Sequence, residues 1–245
     1  MSDIVTWHLR PKLDRIIFIT GLPGVGNVGK IAADFMASKL EAETFLTLMS
    51  DELPPQVVVG EGCEAVPAEH ELCWCRVGDR DVVFLLGEYQ GATPQGQYLL
   101  SKRIFDIIVR YDPELVITLG GYGTGEVVTD PRVLGVVSDQ SLKEGLEKFG
   151  IGFYEGEPAG GIVGAAAMFI ALAQAYGIDA VSIIGETSGA ILDHKSARCV
   201  VRAVLGILGI EMDLSDFDES VQMIDQLNDE VQSLAAGRND LSYIG

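Results

Sequence analysis

The stretch IIFITGLPGVGNVGK, from Ile16 to Lys30, limits the possible folds more than any other part of this chain. An apolar run enters a segment carrying Gly21, Gly24, Gly26 and Gly29, then leaves in an amphipathic pattern. A strand that turns through glycine into a helix is the opening unit of an α/β layer structure. The turn imitates two nucleotide signatures. Gly24 to Gly29 fits G-x-G-x-x-G, and Gly24 to Lys30 fits the first seven positions of G-x-x-x-x-G-K-[ST]. The second pattern requires a hydroxyl for magnesium after the lysine, and Ile31 supplies none. The first requires its leading glycine directly off the strand, whereas Gly21-Leu22-Pro23 intervenes here. Asp51 lies at a sequence distance suited to gripping a ribose, which keeps a dinucleotide reading through Gly24, Gly26 and Gly29 open. The plainer reading is that these glycines supply positive φ and let a helix pack close to a sheet.

The alternation continues along the chain. Val28, Ile31, Ala32, Phe35, Met36 and Leu40 form one stripe of a helix over 28–40, and Thr44 to Met49 reads as a strand. Cys73 to Val77 and Asp81 to Leu86, split by Gly78-Asp79-Arg80, read as an antiparallel hairpin. Thr93-Pro94 starts a helix that ends before Asp112-Pro113. Strands follow at Leu115 to Leu119, Val133 to Val137 and Ala180 to Ile184, with helices over 140–148, 162–176 and 195–208. The 162–176 segment is apolar on nearly every side, so burial between the sheet and a second layer is expected. The fold class is α/β, with a mixed, mostly parallel sheet covered on both faces. No linker divides residues 1–210, which read as one domain, and 211–245 reads as a C-terminal helix and tail.

If the strands run parallel, the loops Gly21–Gly29, Gly87–Gly91, Gly120–Gly125 and Gly185–Gly189 gather on one edge, where open α/β sheets place ligands. Glu88, Glu126 and Glu186 each follow a glycine in these loops. With Gly120, Gly121 and Gly185 they are the candidate ligand-binding set of a small-molecule enzyme, an ATP-dependent ligase or a phosphorylase-like transferase. The alternative is that the glutamates cap helices or bind loop amides. No catalytic residue is assigned: His8, His70 and His194 stand beside no nucleophile, and Ser188 is not centred in G-x-S-x-G.

Charge removes one class of partner. The 17 Lys and Arg against 36 Asp and Glu give a formal net charge of −19, which excludes a phosphate-backbone ligand. Cys63, Cys73, Cys75 and Cys199 need not pair and suit a reducing compartment; Cys73 and Cys75, with His70 and Cys63 nearby, are a conceivable metal set, but buried, inert thiols in a strand are the expected outcome. With no signal peptide and no apolar run long enough to span a bilayer, the expectation is a cytoplasmic protein without membrane contact.

From Leu214 the spacing of Leu214, Phe217, Val221, Ile224, Leu227, Val231 and Leu234 predicts an amphipathic helix, with Ser215 and Asp218 placed as a capping box. Phe217, Val221, Ile224 and Val231 are candidate protein contacts, as are Tyr243 and Ile244 in the tail LSYIG.

Four separated blocks, ITGLPGVGNVGKIAADFM, GEYQGATPQGQYLLSKRIFD, PELVITLGGYGTG and GETSGAILDHKSA, resemble the archaeal branch of the proteasome assembly chaperone family over roughly residues 16–231. The resemblance implies a three-layer α/β/α sandwich related to purine nucleoside phosphorylases. It also implies a homo-oligomer that binds proteasome subunits without enzymatic activity or a cofactor. One departure stands out. Members that dock on the proteasome α-ring can end in hydrophobic-tyrosine-any, whereas Tyr243 is third from the end and follows Ser242.

Overall fold

The computed structural model describes residues 3–126, 128–189, 192–219 and 221, and the chain divides into two compact units, Met1–Glu211 and Met212–Gly245. In the first unit the order is β1 (Ile4–Trp7), β2 (Ile17–Thr20), α1 (Val28–Lys39), β3 (Glu43–Met49), β4 (Val57–Val59), β5 (Ala65–Pro67), β6 (His70–Val77), β7 (Arg80–Gly87), α2 (Pro94–Ile108), β8 (Leu115–Gly123), β9 (Val133–Val137), α3 (Lys143–Glu147), β10 (Ile151–Gly152), α4 (Gly164–Tyr176), β11 (Asp179–Thr187) and α5 (His194–Leu208).

Nine of these strands form one sheet in the order β1-β3-β6-β7-β2-β8-β11-β9-β10, while β4 and β5 make a separate exposed ribbon. Parallel pairing occupies the middle, β7 to β2 to β8 to β11, and recurs at the short β10. The β1-β3-β6-β7 flank and the β11-β9 pair are antiparallel, so the sheet is mixed. The expected 73–86 hairpin is β6 and β7, turning at Gly78-Asp79.

Period-two alternation sends consecutive side chains to opposite faces. Ile16, Phe18, Val83, Leu85 and Val116 join α2 and α4 in one core with Leu100, Ile104, Phe105, Phe169 and Leu172. At its centre the Phe169 ring stands edge-on to Phe18, centroids 5.4 Å apart at 71°. Helices α1 and α5 pack on each other and also against β8 and β11, which places them on the other face. Helix α2 begins as its sequence indicates, Thr93 Oγ1 accepting the Gly96 N–H at 2.9 Å with Pro94 in the first turn.

Two expectations need correction. Helix α4 is not enclosed: Ala165, Phe169, Leu172 and Ala173 are buried, but Ala171, Gln174, Ala175 and Tyr176 are exposed. Its apolar residues are largely alanines, which cover too little area to demand a second layer. The glycine loops after β8 and β11 also begin later than expected, because both strands run on through glycine. Gly120 pairs with Ile184 and Gly121 with Gly185, up to Gly123 and Thr187.

In the second unit, residues 215–219 and 221 are helical. Ser215 is not the cap. Asp213 takes the Ser215 N–H and hydroxyl, each at 3.0 Å. Ile224, Val231, Tyr243 and Ile244 lie outside the described residues.

Candidate functional site at the carboxyl edge of the sheet

Because β2, β7, β8 and β11 run parallel, their carboxyl ends share one edge, and the four glycine segments do meet there. The two faces of that edge differ. On the α1 side the glycines are filled by the chain itself. A Cβ added to Gly21 would stand 2.7 Å from the Ala33 Cβ, one on Gly29 would strike the Leu119 carbonyl, and one on Gly121 would strike the Val25 carbonyl. Gly26, at φ +61°, faces Thr187 Oγ1 at 2.7 Å from its would-be Cβ, and Gly185 leaves room for Ser196. Two of the three glycines of the dinucleotide signature, Gly26 and Gly29, therefore serve internal packing, and at Gly29 the close approach is to backbone where a pyrophosphate would need to lie.

The other parts of a nucleotide site are also engaged elsewhere. Lys30 Nζ donates to Asp34 at 2.6 Å and to Glu88 at 2.7 Å. Burial lowers the Lys30 pKa, but these two carboxylates outweigh it and leave it raised. Asp34 is raised as well, by its own burial first and then by the charges of Glu88 and Glu71. Asp51 lies in the turn after β3, a strand three positions from β2 and so roughly 14 Å away across the sheet. It faces Arg103 at 3.4 Å. A ribose-binding carboxylate belongs on the strand beside the first, and the antiparallel pair β6 and β7 takes that place.

The three loop glutamates have separate surroundings. Glu88 meets Lys30; Glu186 meets Arg132, whose hydrogen bond holds its carboxyl below the usual range; Glu126 is exposed, its N–H directed to Thr124 Oγ1 at 3.3 Å. Arg132 also reaches Glu157 at 3.3 Å and stacks on the Tyr154 ring. Among the described residues, no group of three His, Cys, Asp or Glu is arranged to hold a metal. Cys73 and Cys75 are buried on one face of β6, with thiols pushed up to about 11 by burial, while His70 alternates to the opposite face. The His70 Nε2 lies 2.7 Å from the Tyr89 carbonyl, and burial lowers its pKa.

On the α4 side the edge is open. A cavity of about 370 Å³ lies between β2, β8 and β11 and the chain entering α4, bordered by Thr20, Leu22, Gly24, Val25, Gln90, Gly120, Ile162, Val163 and Ser182 among others. No Asp, Glu, Lys, Arg, His or Cys lines it among the described residues. Gln90 spans its rim. Its amide nitrogen donates to the Pro23 carbonyl at 2.5 Å, and its amide oxygen accepts the Ala165 N–H at 2.9 Å, so one side chain ties the first turn to the start of α4. Sequence reading named Gly24, Gly120 and Gly121 but missed Gln90, Thr20, Ser182 and the 161–164 approach. The available signal was that Gln90 lies inside the Gly87–Gly91 loop and that Gly160, Gly161 and Gly164 cluster at the start of the apolar 162–176 segment.

This is an α/β scaffold in which nucleotide-like turns serve internal packing, beside a cavity with no carboxylate, amine, guanidinium, imidazole or thiol in its lining among the described residues. The chain belongs to the PAC2 family, whose model matches residues 18–232, in agreement with the resemblance carried by its four sequence blocks. Its fold is similar to Pyrococcus furiosus PbaB, an archaeal proteasome activator, with a TM-score of 0.89 and 29% identity over 94% of this chain and 98% of that one. It is also similar to Pyrococcus furiosus PbaA, an archaeal homolog of proteasome-assembly chaperone, with a TM-score of 0.79 and 26% identity over 97% of this chain and 95% of that one. An uncharacterized protein of Methanocaldococcus jannaschii is 30% identical over all of this chain and 99% of its own length.

Proposed function

We propose that this chain is a non-enzymatic, self-associating assembly factor that binds proteasome subunits. The observation that carries the reading is the likeness to PbaB and PbaA over nearly the whole of each chain. The site chemistry agrees with it: of the signature glycines, Gly29 is packed against the Leu119 backbone and Gly26 against the Thr187 side chain, and no carboxylate, amine, imidazole or thiol lines the cavity among the described residues. The amphipathic spacing from Leu214, with Val221, is proposed as the protein-contact element, Phe217 being buried within the chain itself, and the tail residues Tyr243 and Ile244 as an accessory to it.

The test is co-purification with proteasome α subunits expressed together with the intact chain. Capture is expected, and removal of residues 214–245 is expected to weaken it and to reduce the assembly mass in sedimentation. Failure of the intact chain to capture any α subunit would overturn the partner; capture unchanged by the truncation would overturn the contact element. The intact chain heated with ATP and magnesium should keep its melting midpoint, because only a ligand that prefers the native state raises it. A clear upward shift would instead favour the enzyme reading.

A further inference from the structure

Two glycines at the carboxyl edge lack an internal reason to be glycine. Gly24 is extended at φ −163° and ψ −156°, and its would-be Cβ has only the Leu22 carbonyl oxygen near it, at 3.9 Å. Gly120 continues β8 without a positive φ, and a Cβ there would meet nothing within 4 Å. Gly21, Gly29 and Gly121 contrast with these, each pressed against backbone. Glycine inside a strand weakens it, so Gly120 costs stability without any return in packing. Both open glycines border the 370 Å³ cavity, and the space left by the missing side chains belongs to that cavity.

The walls decide what could enter. Leu22, Val25, Ile162 and Val163 are apolar, and Gly120, Gly121 and Gly123 make a bare backbone floor. A charged guest would lose its hydration and meet no opposite charge in the lining, which disfavours phosphates, carboxylates and ammonium groups. Hydrogen-bonding capacity is small. Both ends of the Gln90 amide are engaged, Ser182 Oγ accepts from Thr118 Oγ1 at 2.9 Å, and the remaining side-chain polar groups of the lining are the Thr20 and Tyr122 hydroxyls. The volume falls within the range of small-molecule sites.

The geometry points to a binding site for an uncharged, flat, mainly apolar small molecule, its ring lying on Gly120 between the first turn and the approach to α4. This site is independent of the proteasome reading and uses none of the proposed protein contacts. Indole is the probe, and the intact chain the target. Saturation-transfer NMR should show contact between protein and indole, and indole should raise the melting midpoint, whereas inorganic phosphate should do neither. Gly120→Val fills the floor and should abolish the transfer; Gly120→Ala, whose single Cβ has free space, folds as the parent and should weaken indole by about tenfold. The inference is overturned if indole gives no transfer to the parent, or if Gly120→Ala binds it as tightly as the parent does. Capture of proteasome subunits, measured separately, should be unchanged in Gly120→Ala.

Discussion

The same residue type has opposite value at Gly29, in the first turn of α1, and Gly120, near the carboxyl end of β8, although both sit at the same edge of the sheet. Gly29 lets α1 approach the Leu119 carbonyl, so Gly29→Ala must push the helix off the sheet or distort β8. Overpacking of this kind costs about 1–3 kcal/mol, and Gly29→Ala should lower the urea midpoint accordingly while Gly120→Ala leaves it unchanged or higher. Equal losses in the two variants would refute the assignment of one glycine to packing and the other to the cavity. His70 gives a second residue-scale expectation. Its Nε2 is committed to the Tyr89 carbonyl and its Nδ1 is buried without a partner, so the folded protein resists protonation there. A folded pKa below the ordinary 6.5 means that the unfolded chain binds the extra proton first. Stability from this group is therefore full above pH 6.5 and declines as pH falls below it. Urea midpoints measured from pH 7.5 to 5 should drop less steeply in His70→Gln, once that variant's own offset at pH 7.5 is subtracted. Parallel curves would show that His70 does not govern the decline.

At the level of elements, caps and core stripes divide the work. Thr93 satisfies an orphan N–H of α2, and Thr93→Ala should cost about 1 kcal/mol in denaturant unfolding, with Thr93→Ser restoring most of it. Phe169 is fully buried between Phe18 and Phe105 on α2, and Phe169→Ala should cost roughly 3–5 kcal/mol through a cavity the surrounding side chains cannot close. The difference between these magnitudes explains what the sequence made legible. Helices α1, α2 and α5 carry strong apolar stripes or local caps, and the β6-β7 hairpin carries its own turn, so each is written in neighbouring residues. The short strands β1, β4, β5 and β10 were not read, because two to four residues carry too little periodicity; β1 exists through pairing with β3, some forty residues away. The continuation of β8 and β11 through Gly120-Gly121 and Gly185 was missed for the same reason. Glycine lowers local strand preference, and only the parallel register between the two strands restores it. The site was half legible. Its glycines were visible, but whether each faces backbone or empty space depends on which side of the sheet it points to, and that parity is set by the register.

At the scale of the whole molecule, the net charge of −19 turns the proposed self-association into a measurable electrostatic problem. Two copies repel before any apolar contact forms, and added salt screens that repulsion, since the Debye length shortens from about 30 Å at 0.01 M to about 8 Å at 0.15 M. Association between copies should therefore tighten as sodium chloride rises over this range, seen as a growing mean mass in sedimentation equilibrium. A contact with a basic surface has the opposite sign. There the acidic chain is drawn in, screening weakens the attraction, and the complex loosens with the same salt increase. Measuring both equilibria on the intact chain separates the two contacts without a mutation. If self-association weakens with salt, the copies meet through complementary charges rather than an apolar seam, and the role proposed for the segment from Leu214 with Val221 fails. If it strengthens while capture of proteasome subunits weakens, the acidic exterior serves partner recognition and the apolar seam serves the homo-oligomer.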